Sequence, residues 1–196
     1  MSSPWRSTPN QLTLLRCIFI PFIVIAIFDD RNRLALALFV LAGVSDALDG
    51  LLARLLKQQT ALGQYLDPIA DKLMLSTLFL VLSLDHRIPW RVTVIVFSRD
   101  VGILIVGGFL YVSGTLRDMR PSIWGKLNTG VQVGTILVVL MVAVWPLGWL
   151  WVLREVGLWL TFALTLISWV HYTIVVNRKI RAQSTLPSAA TGNPQS

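Results

Sequence analysis

The chain has 196 residues, of which 55% are hydrophobic and 14% are charged, with a formal net charge of +7. This composition, together with a positive mean hydropathy, excludes an ordinary soluble domain and indicates one membrane domain. The basic residues are scattered between apolar runs, which favours attraction to anionic lipid headgroups over binding to nucleic acid.

Six apolar runs follow one another, each close to the ~20 residues that a spanning helix needs. They predict an all-α, polytopic membrane protein with six transmembrane helices, at about residues 12–28, 34–56, 68–84, 90–113, 123–145 and 155–177. The membrane domain is predicted over 1–181. The tail, 182–196, is rich in Ser, Ala, Pro and Gly and is predicted to be disordered.

The basic residues also predict an orientation. Six spans place both termini on the same side as the loops 57–66 and 114–122, and this side carries most of the Lys and Arg residues. The excess of positive charge predicts that this side is cytoplasmic. No amphipathic presequence rich in Arg and Ser precedes the first run, which favours a bacterial inner membrane over a mitochondrial one.

Four aspartates lie at the end of the second predicted helix and the start of the third. Asp46 and Asp49 are three residues apart, and Asp67 and Asp71 are four apart, so each pair shares a helix face. A short loop joins the two helices, which are therefore predicted to be antiparallel neighbours. Two facing carboxylate pairs would be neutralised by two divalent cations, and sites built from oxygen ligands suit Mg²⁺ or Mn²⁺.

An ion or proton carrier is the alternative from another class of protein. Such a carrier uses intramembrane acids as a relay and predicts acids spread through the depth of the bilayer. Here the four aspartates cluster toward one membrane face, which favours the metal site.

The aspartates belong to a longer pattern, D-x2-D-G-x2-A-R-x8-G-x3-D-x3-D, and the chain fills every fixed position. These positions are Asp46, Asp49, Gly50, Ala53, Arg54, Gly63, Asp67 and Asp71. The pattern resembles the signature of the CDP-alcohol phosphatidyltransferases, integral membrane enzymes of phospholipid biosynthesis. The resemblance implies transfer of a phosphatidyl group from CDP-diacylglycerol to an alcohol with release of CMP, and it implies a homodimer.

The resemblance also implies roles for individual residues. The four aspartates would bind two Mg²⁺ or Mn²⁺ ions, and Asp71 would also be the general base. Gly50 and Ala53 lack bulk and would allow close approach, whereas the guanidinium of Arg54 suits a phosphate. The implied contacts with the CDP-lipid are Asn10, Thr13, Gly50, Ala53, Arg54, Thr60 and Gly63. For Asn10 and Thr13 a helix cap remains an alternative role.

Two further stretches bear on the acceptor alcohol: Ser98-Arg-Asp-Val and Gly125-Lys-Leu-Asn-Thr, with Gln132 beyond. The functional hypothesis is a basic pocket for an acceptor phosphate, formed by Arg99, Arg117, Arg120 and Lys126. The alternative is that Arg99 and Asp100, both within a span, pair and hold helices together. Both stretches resemble eukaryotic-type cardiolipin synthases, which implies phosphatidylglycerol as acceptor. Phosphatidylglycerophosphate synthases more often carry R-E and G-K-x-K-T, and their acceptor, glycerol-3-phosphate, is the alternative.

Overall fold

The computed structural model describes residues 8–55, 61–112 and 123–184, and within these ranges the chain is helical with short turns and no strand. The helices are α1 (Thr8–Phe28), α2 (Asn32–Leu55), α3 (Ala61–Leu84), α4 (Trp90–Val112), α5 (Ile123–Val144) and α6 (Gly148–Ser184). The all-α prediction is confirmed for this part of the chain, and each apolar run corresponds to one helix.

Four helices begin earlier than their apolar runs, and the difference is largest for α3 and α6. α3 begins at Ala61 and α6 at Gly148 rather than near residues 68 and 155. Polar residues such as Asp67 and Arg154 interrupt the apolar run without interrupting the helix, since neither removes a backbone hydrogen bond. α6 also continues through Ser184, past the boundary predicted at 181, and residues 185–196 of the predicted tail lie outside the described residues.

Two helical segments in the described ranges are long and apolar enough to cross a membrane, Gly125–Val144 and Gly148–Val170. Many large apolar side chains on the outside of the helices are exposed, among them Phe22, Ile25 and Trp159. Contiguous apolar surface of this kind is typical of a face that contacts lipid or a partner. The count of six transmembrane helices stays a prediction.

α1 packs against both α2 and α3, and α5 packs against α2, α3 and α6. Ala26 of α1 and Ala35 of α2 are buried, and such small side chains allow close helix approach. The predicted direct packing of α2 on α3 is absent from the contacts that the structure describes. Both helices share α1 as a neighbour.

The core is built around α3, where Leu75, Leu78, Phe79 and Leu82 are fully buried at helical spacing. Ile136 of α5 belongs to the same cluster. Lipid chains are as apolar as these side chains, so close packing rather than removal from water is what they contribute inside a membrane. α3 is therefore held by its neighbours along its second half, beyond the aspartates.

One end of the bundle is closed by hydrogen bonds between turns. The side chain of Arg87, between α3 and α4, donates to Asn32 at the start of α2 and to Asp30, and it pairs with Asp85. Arg154 of α6 donates to the Arg87 carbonyl. The turn between α1 and α2, the turn between α3 and α4, and the first two turns of α6 therefore meet at one end of the bundle. Asp46 lies about 20 Å further along α2 by helical rise, toward the opposite end.

Candidate active site

The aspartate motif lies on two helices that approach the same end of the bundle. Asp46 and Asp49 lie in the second half of α2, and Asp67 and Asp71 lie in the first half of α3. Both helices pack against α1, whose first turns carry Asn10 and Thr13. α1 is therefore a shared neighbour of the two helices that carry the aspartates.

Few side chains of this motif are described. Asp46 is half-buried and has an interaction partner. For nine predicted site residues the structure describes the helix but not the side-chain surroundings: Asn10, Thr13, Asp49, Gly50, Ala53, Arg54, Gly63, Asp67 and Asp71. Three others lie wholly outside the described residues: Thr60, Arg117 and Arg120. Among the described side chains, no group of three or more His, Cys, Asp or Glu residues could hold a metal ion. Three of the four predicted ligands are outside that search, so the metal site stays a prediction.

The chemistry of the donor set fits the predicted cations. Four carboxylates, in pairs one helical turn apart, supply only oxygen ligands and four formal negative charges. Hard divalent cations such as Mg²⁺ and Mn²⁺ prefer such ligands and keep positions open for substrate oxygens.

A buried ionic cluster lies immediately beside the motif, centred on Asp100 of α4, which is 3% exposed. Oδ1 of Asp100 accepts hydrogen bonds from Lys72 Nζ at 2.9 Å and from Arg99 Nη1 at 2.6 Å. Oδ2 accepts from Ser76 Oγ at 3.2 Å. Arg99 Nη2 donates to Ser168 Oγ of α6 at 3.0 Å. One carboxylate and its neighbouring guanidinium therefore join α3, α4 and α6.

This geometry confirms that Arg99 and Asp100 pair with each other, as predicted by the alternative in which this pair holds helices together. Arg99 is 3% exposed, and both of its terminal nitrogens have protein partners. Lys126, another predicted acceptor ligand, is exposed on α5. It follows Gly125, where an added Cβ would lie 3.7 Å from Arg99 Nη2. Of the four predicted acceptor cations, these two are described, and Arg99 is engaged within the protein.

Lys72, Ser76 and Ser168 are participants that the sequence analysis missed. A signal existed, because a carboxylate inside an apolar span needs a partner, and Lys72 is the only cation in α3. The partner of Arg99 on α6 had no comparable signal, since a serine in an apolar helix is common and carries no charge.

A buried polar seam continues from this cluster along the contact between α5 and α6. Thr165 Oγ1 donates to Asn128 Oδ1 at 3.0 Å, and Thr135 and Thr161 share a hydrogen bond of 2.9 Å. Gln132 lies between them on α5 and is fully buried. Hydrogen bonds of this kind hold helices together within membranes, where apolar contacts do not distinguish a helix from lipid. Asn128 is thus part of the α5–α6 contact, whereas neither amide atom of Gln132 has a hydrogen-bond partner among the described residues.

A substitution in α6 tests this seam. A Cβ added at Gly157 would lie 3.0 Å from Thr135 Oγ1. We expect Gly157→Val to lower the free energy of unfolding by about 1–3 kcal/mol, because the side chain forces α5 and α6 apart. Thermal unfolding in detergent measures the effect, and Gly130→Val is the matched control, since a Cβ there has nothing within 4 Å. Equal losses in the two variants would show that Gly157 is not required for close packing.

The profile of the CDP-alcohol phosphatidyltransferase family matches residues 6–175. The match covers most of the chain and all six helices in whole or in part. The chain therefore belongs to the CDP-alcohol phosphatidyltransferase family.

Individual relatives are named for different phosphatidyltransferase reactions, which use different acceptor alcohols. The chain is 36% identical over 130 residues to a probable phosphatidylglycerophosphate synthase of Mycobacterium tuberculosis, an alignment that covers 63% of this chain and 60% of that protein. It is 33% identical over 172 residues to the CDP-diacylglycerol–glycerol-3-phosphate 3-phosphatidyltransferase of Aquifex aeolicus, with 86% and 94% covered. It is 33% identical over 150 residues to the human CMP-forming cardiolipin synthase, with 67% and 48% covered. The relatives therefore leave open which alcohol is the acceptor.

Proposed function

We propose that this protein is a metal-dependent phosphatidyltransferase of phospholipid biosynthesis, which transfers the phosphatidyl group of CDP-diacylglycerol to an alcohol and releases CMP. The observation that carries the proposal is the complete aspartate motif on α2 and α3, two helices that pack on α1 in a chain of this family. An ion carrier would not require Gly50, Ala53, Arg54 and Gly63 at these spacings.

The proposed reaction is a direct displacement. The acceptor hydroxyl oxygen bonds to the lipid-side phosphorus of CDP-diacylglycerol, and the bond from that phosphorus to the bridging oxygen breaks, so that CMP leaves with this oxygen. Asp71 takes the hydroxyl proton as general base. The four aspartates would hold two divalent cations, which would neutralise charge on the phosphate oxygens.

The remaining motif residues would bind the donor. Arg54 presents a permanent cation to a donor phosphate, and Gly50 and Ala53 leave room for close approach. Asn10 and Thr13 of α1 would add polar contacts with the nucleotide, since α1 is in contact with both α2 and α3. Thr60 and Gly63 complete the proposed CDP-lipid contacts.

For the acceptor we propose phosphatidylglycerol, and the resemblance of residues 98–101 and 125–129 to eukaryotic-type cardiolipin synthases supports this choice. Lys72 and Arg99 share one carboxylate, that of Asp100. Asn128, where related glycerol-3-phosphate enzymes often have Lys, is neutral and bonded to Thr165. Arg117, Arg120 and Lys126 would supply the cations that bind the acceptor, since Arg99 is engaged within the protein.

Glycerol-3-phosphate is the second candidate acceptor. It is favoured by the Aquifex aeolicus relative, whose name specifies this acceptor and of which this chain covers 94%.

The two acceptors are separated by measuring CMP release from purified protein with CDP-diacylglycerol and Mg²⁺. We expect release with phosphatidylglycerol, giving cardiolipin, and none with glycerol-3-phosphate. The reverse result would assign the protein to phosphatidylglycerophosphate synthesis. A chelator should abolish release, and added Mg²⁺ or Mn²⁺ should restore it; full activity in the chelator would contradict the metal site.

We also propose that all six helices cross a bacterial inner membrane with both termini and the aspartates on the cytoplasmic side, and that the protein is a homodimer. The bias of Lys and Arg supports this orientation. Labelling of single cysteines in intact cells, after replacement of Cys17, tests it. A cysteine at His86 should react with an impermeant reagent from outside, whereas one at Ser188 should not.

A further inference from the structure

We infer that Asp100 is a positioning residue that fixes the rotation and axial position of α3, and thereby of the Asp67–Asp71 segment that carries two of the proposed metal ligands. This inference rests on the proposed function and adds to it a residue outside the aspartate motif.

The two oxygens of Asp100 bind two residues of α3 that are one turn apart. Lys72 bonds to Oδ1 and Ser76 to Oδ2, at 2.9 and 3.2 Å. Residues four apart lie on one face of a helix. A single contact would let α3 pivot about it, whereas two contacts one turn apart oppose both rotation about the helix axis and sliding along it.

The anchor itself is held in place. Arg99 donates one hydrogen bond to the carboxylate of Asp100 and another to the hydroxyl of Ser168 on α6. All three side chains are buried. The position of α3 is therefore fixed relative to both α4 and α6, and not relative to α4 alone.

The segment that this anchor controls is the one where position matters most. Lys72 directly follows Asp71, and Asp67 lies about one turn earlier on the same helix. A shift of α3 by one residue corresponds to about 100° of rotation or ~1.5 Å of rise, and it moves all of these residues together. The leucines of the second half of α3 pack by shape alone and specify register less strongly than directional hydrogen bonds do. Misplacement of catalytic groups by ~1 Å can lower a rate about 100-fold.

Asp100→Asn and Ser76→Ala are the test variants. Asp100→Asn removes the charge that Lys72 and Arg99 share, and its amide nitrogen cannot accept the bond from Ser76. Ser76→Ala removes one of the two contacts with α3 and leaves every charge in place, so it remains informative if Asp100→Asn folds poorly. Thr135→Val is the matched control, because it removes a buried hydroxyl of the α5–α6 seam whose described hydrogen bonds run to Thr161 and to the Val131 carbonyl.

Binding of Mn²⁺ to the purified protein is followed by electron paramagnetic resonance, alongside kcat for CMP release and thermal unfolding. We expect Asp100→Asn to weaken Mn²⁺ binding at least about tenfold and to lower kcat about 100-fold. Ser76→Ala should shift both quantities in the same direction by about threefold or more, and Asp100→Glu should recover part of the loss. Thr135→Val should lower the unfolding temperature while leaving Mn²⁺ binding within about twofold of wild type.

Unchanged Mn²⁺ binding and kcat in a folded Asp100→Asn or Ser76→Ala variant would overturn the inference. So would shifts in Thr135→Val as large as those in Ser76→Ala, because they would indicate a general effect of lower stability. Wild-type protein that binds no Mn²⁺ and releases no CMP would instead contradict the proposed function itself.

Discussion

Asp71→Asn is expected to abolish CMP release while the protein remains folded. In the proposed reaction Asp71 both contributes to metal binding and accepts the proton of the acceptor hydroxyl, and an amide performs neither task well. General bases alone account for about 10²–10⁴-fold in rate. Because a metal ligand is lost as well, we expect kcat to fall by at least about 1,000-fold with saturating Mg²⁺.

The measurement is CMP release at saturating CDP-diacylglycerol, with gel filtration and thermal unfolding to establish that the variant is folded. Asp85→Asn is the matched control, because Asp85 is an acid just beyond the end of α3 that pairs with Arg87 instead. It should retain most of the activity. Turnover near the wild-type level in Asp71→Asn would exclude Asp71 as the base, and loss of activity in both variants would indicate a general sensitivity of α3.

The sequence predicted the helices of the described residues well because each contains an apolar run of about the length that a spanning helix needs. The starts of α3 and α6 were missed for the same reason. Hydropathy detects where a chain is apolar, whereas the helix continues through polar residues such as Asp67 and Arg154 as long as its backbone bonds are made. Residues 61–67 include Gly63, Gln64 and Asp67 and are helical outside the apolar run, whereas residues 148–153 are largely apolar and are separated from the rest of their run by Arg154 and Glu155.

The local motif was visible in the sequence because its parts are close in the chain, but the supporting contacts were not. Lys72 and Asp100 are 28 residues apart, and Arg99 and Ser168 are 69 apart. Such pairs depend on which helices are neighbours, and six helices can be arranged in many ways. The position of α1 against both α2 and α3 shows the difficulty, since the short connection between α2 and α3 had predicted that these two would pack together.

Arg99→Ala is expected to destabilise the protein and to affect donor and acceptor alike. The variant removes a buried cation from Asp100 and leaves Ser168 without its guanidinium partner. Breaking a buried ion pair costs about 3–5 kcal/mol when the remaining charge is uncompensated. Asp100 keeps Lys72 and Ser76, so we expect a smaller loss, about 2–3 kcal/mol in the free energy of unfolding.

Lys126→Ala provides the contrast that separates a structural cation from a substrate-binding one. Lys126 is exposed and was predicted, like Arg99, to contact the acceptor phosphate. We expect Lys126→Ala to raise the KM for the acceptor without changing the unfolding temperature, and Arg99→Ala to lower kcat with similar changes in both KM values. A selective rise in acceptor KM for Arg99→Ala would show that its guanidinium leaves Asp100 or Ser168 to bind substrate. In that case the buried pair would be the resting arrangement of an acceptor-binding residue, because the same two hydrogen bonds would have to break in every catalytic cycle.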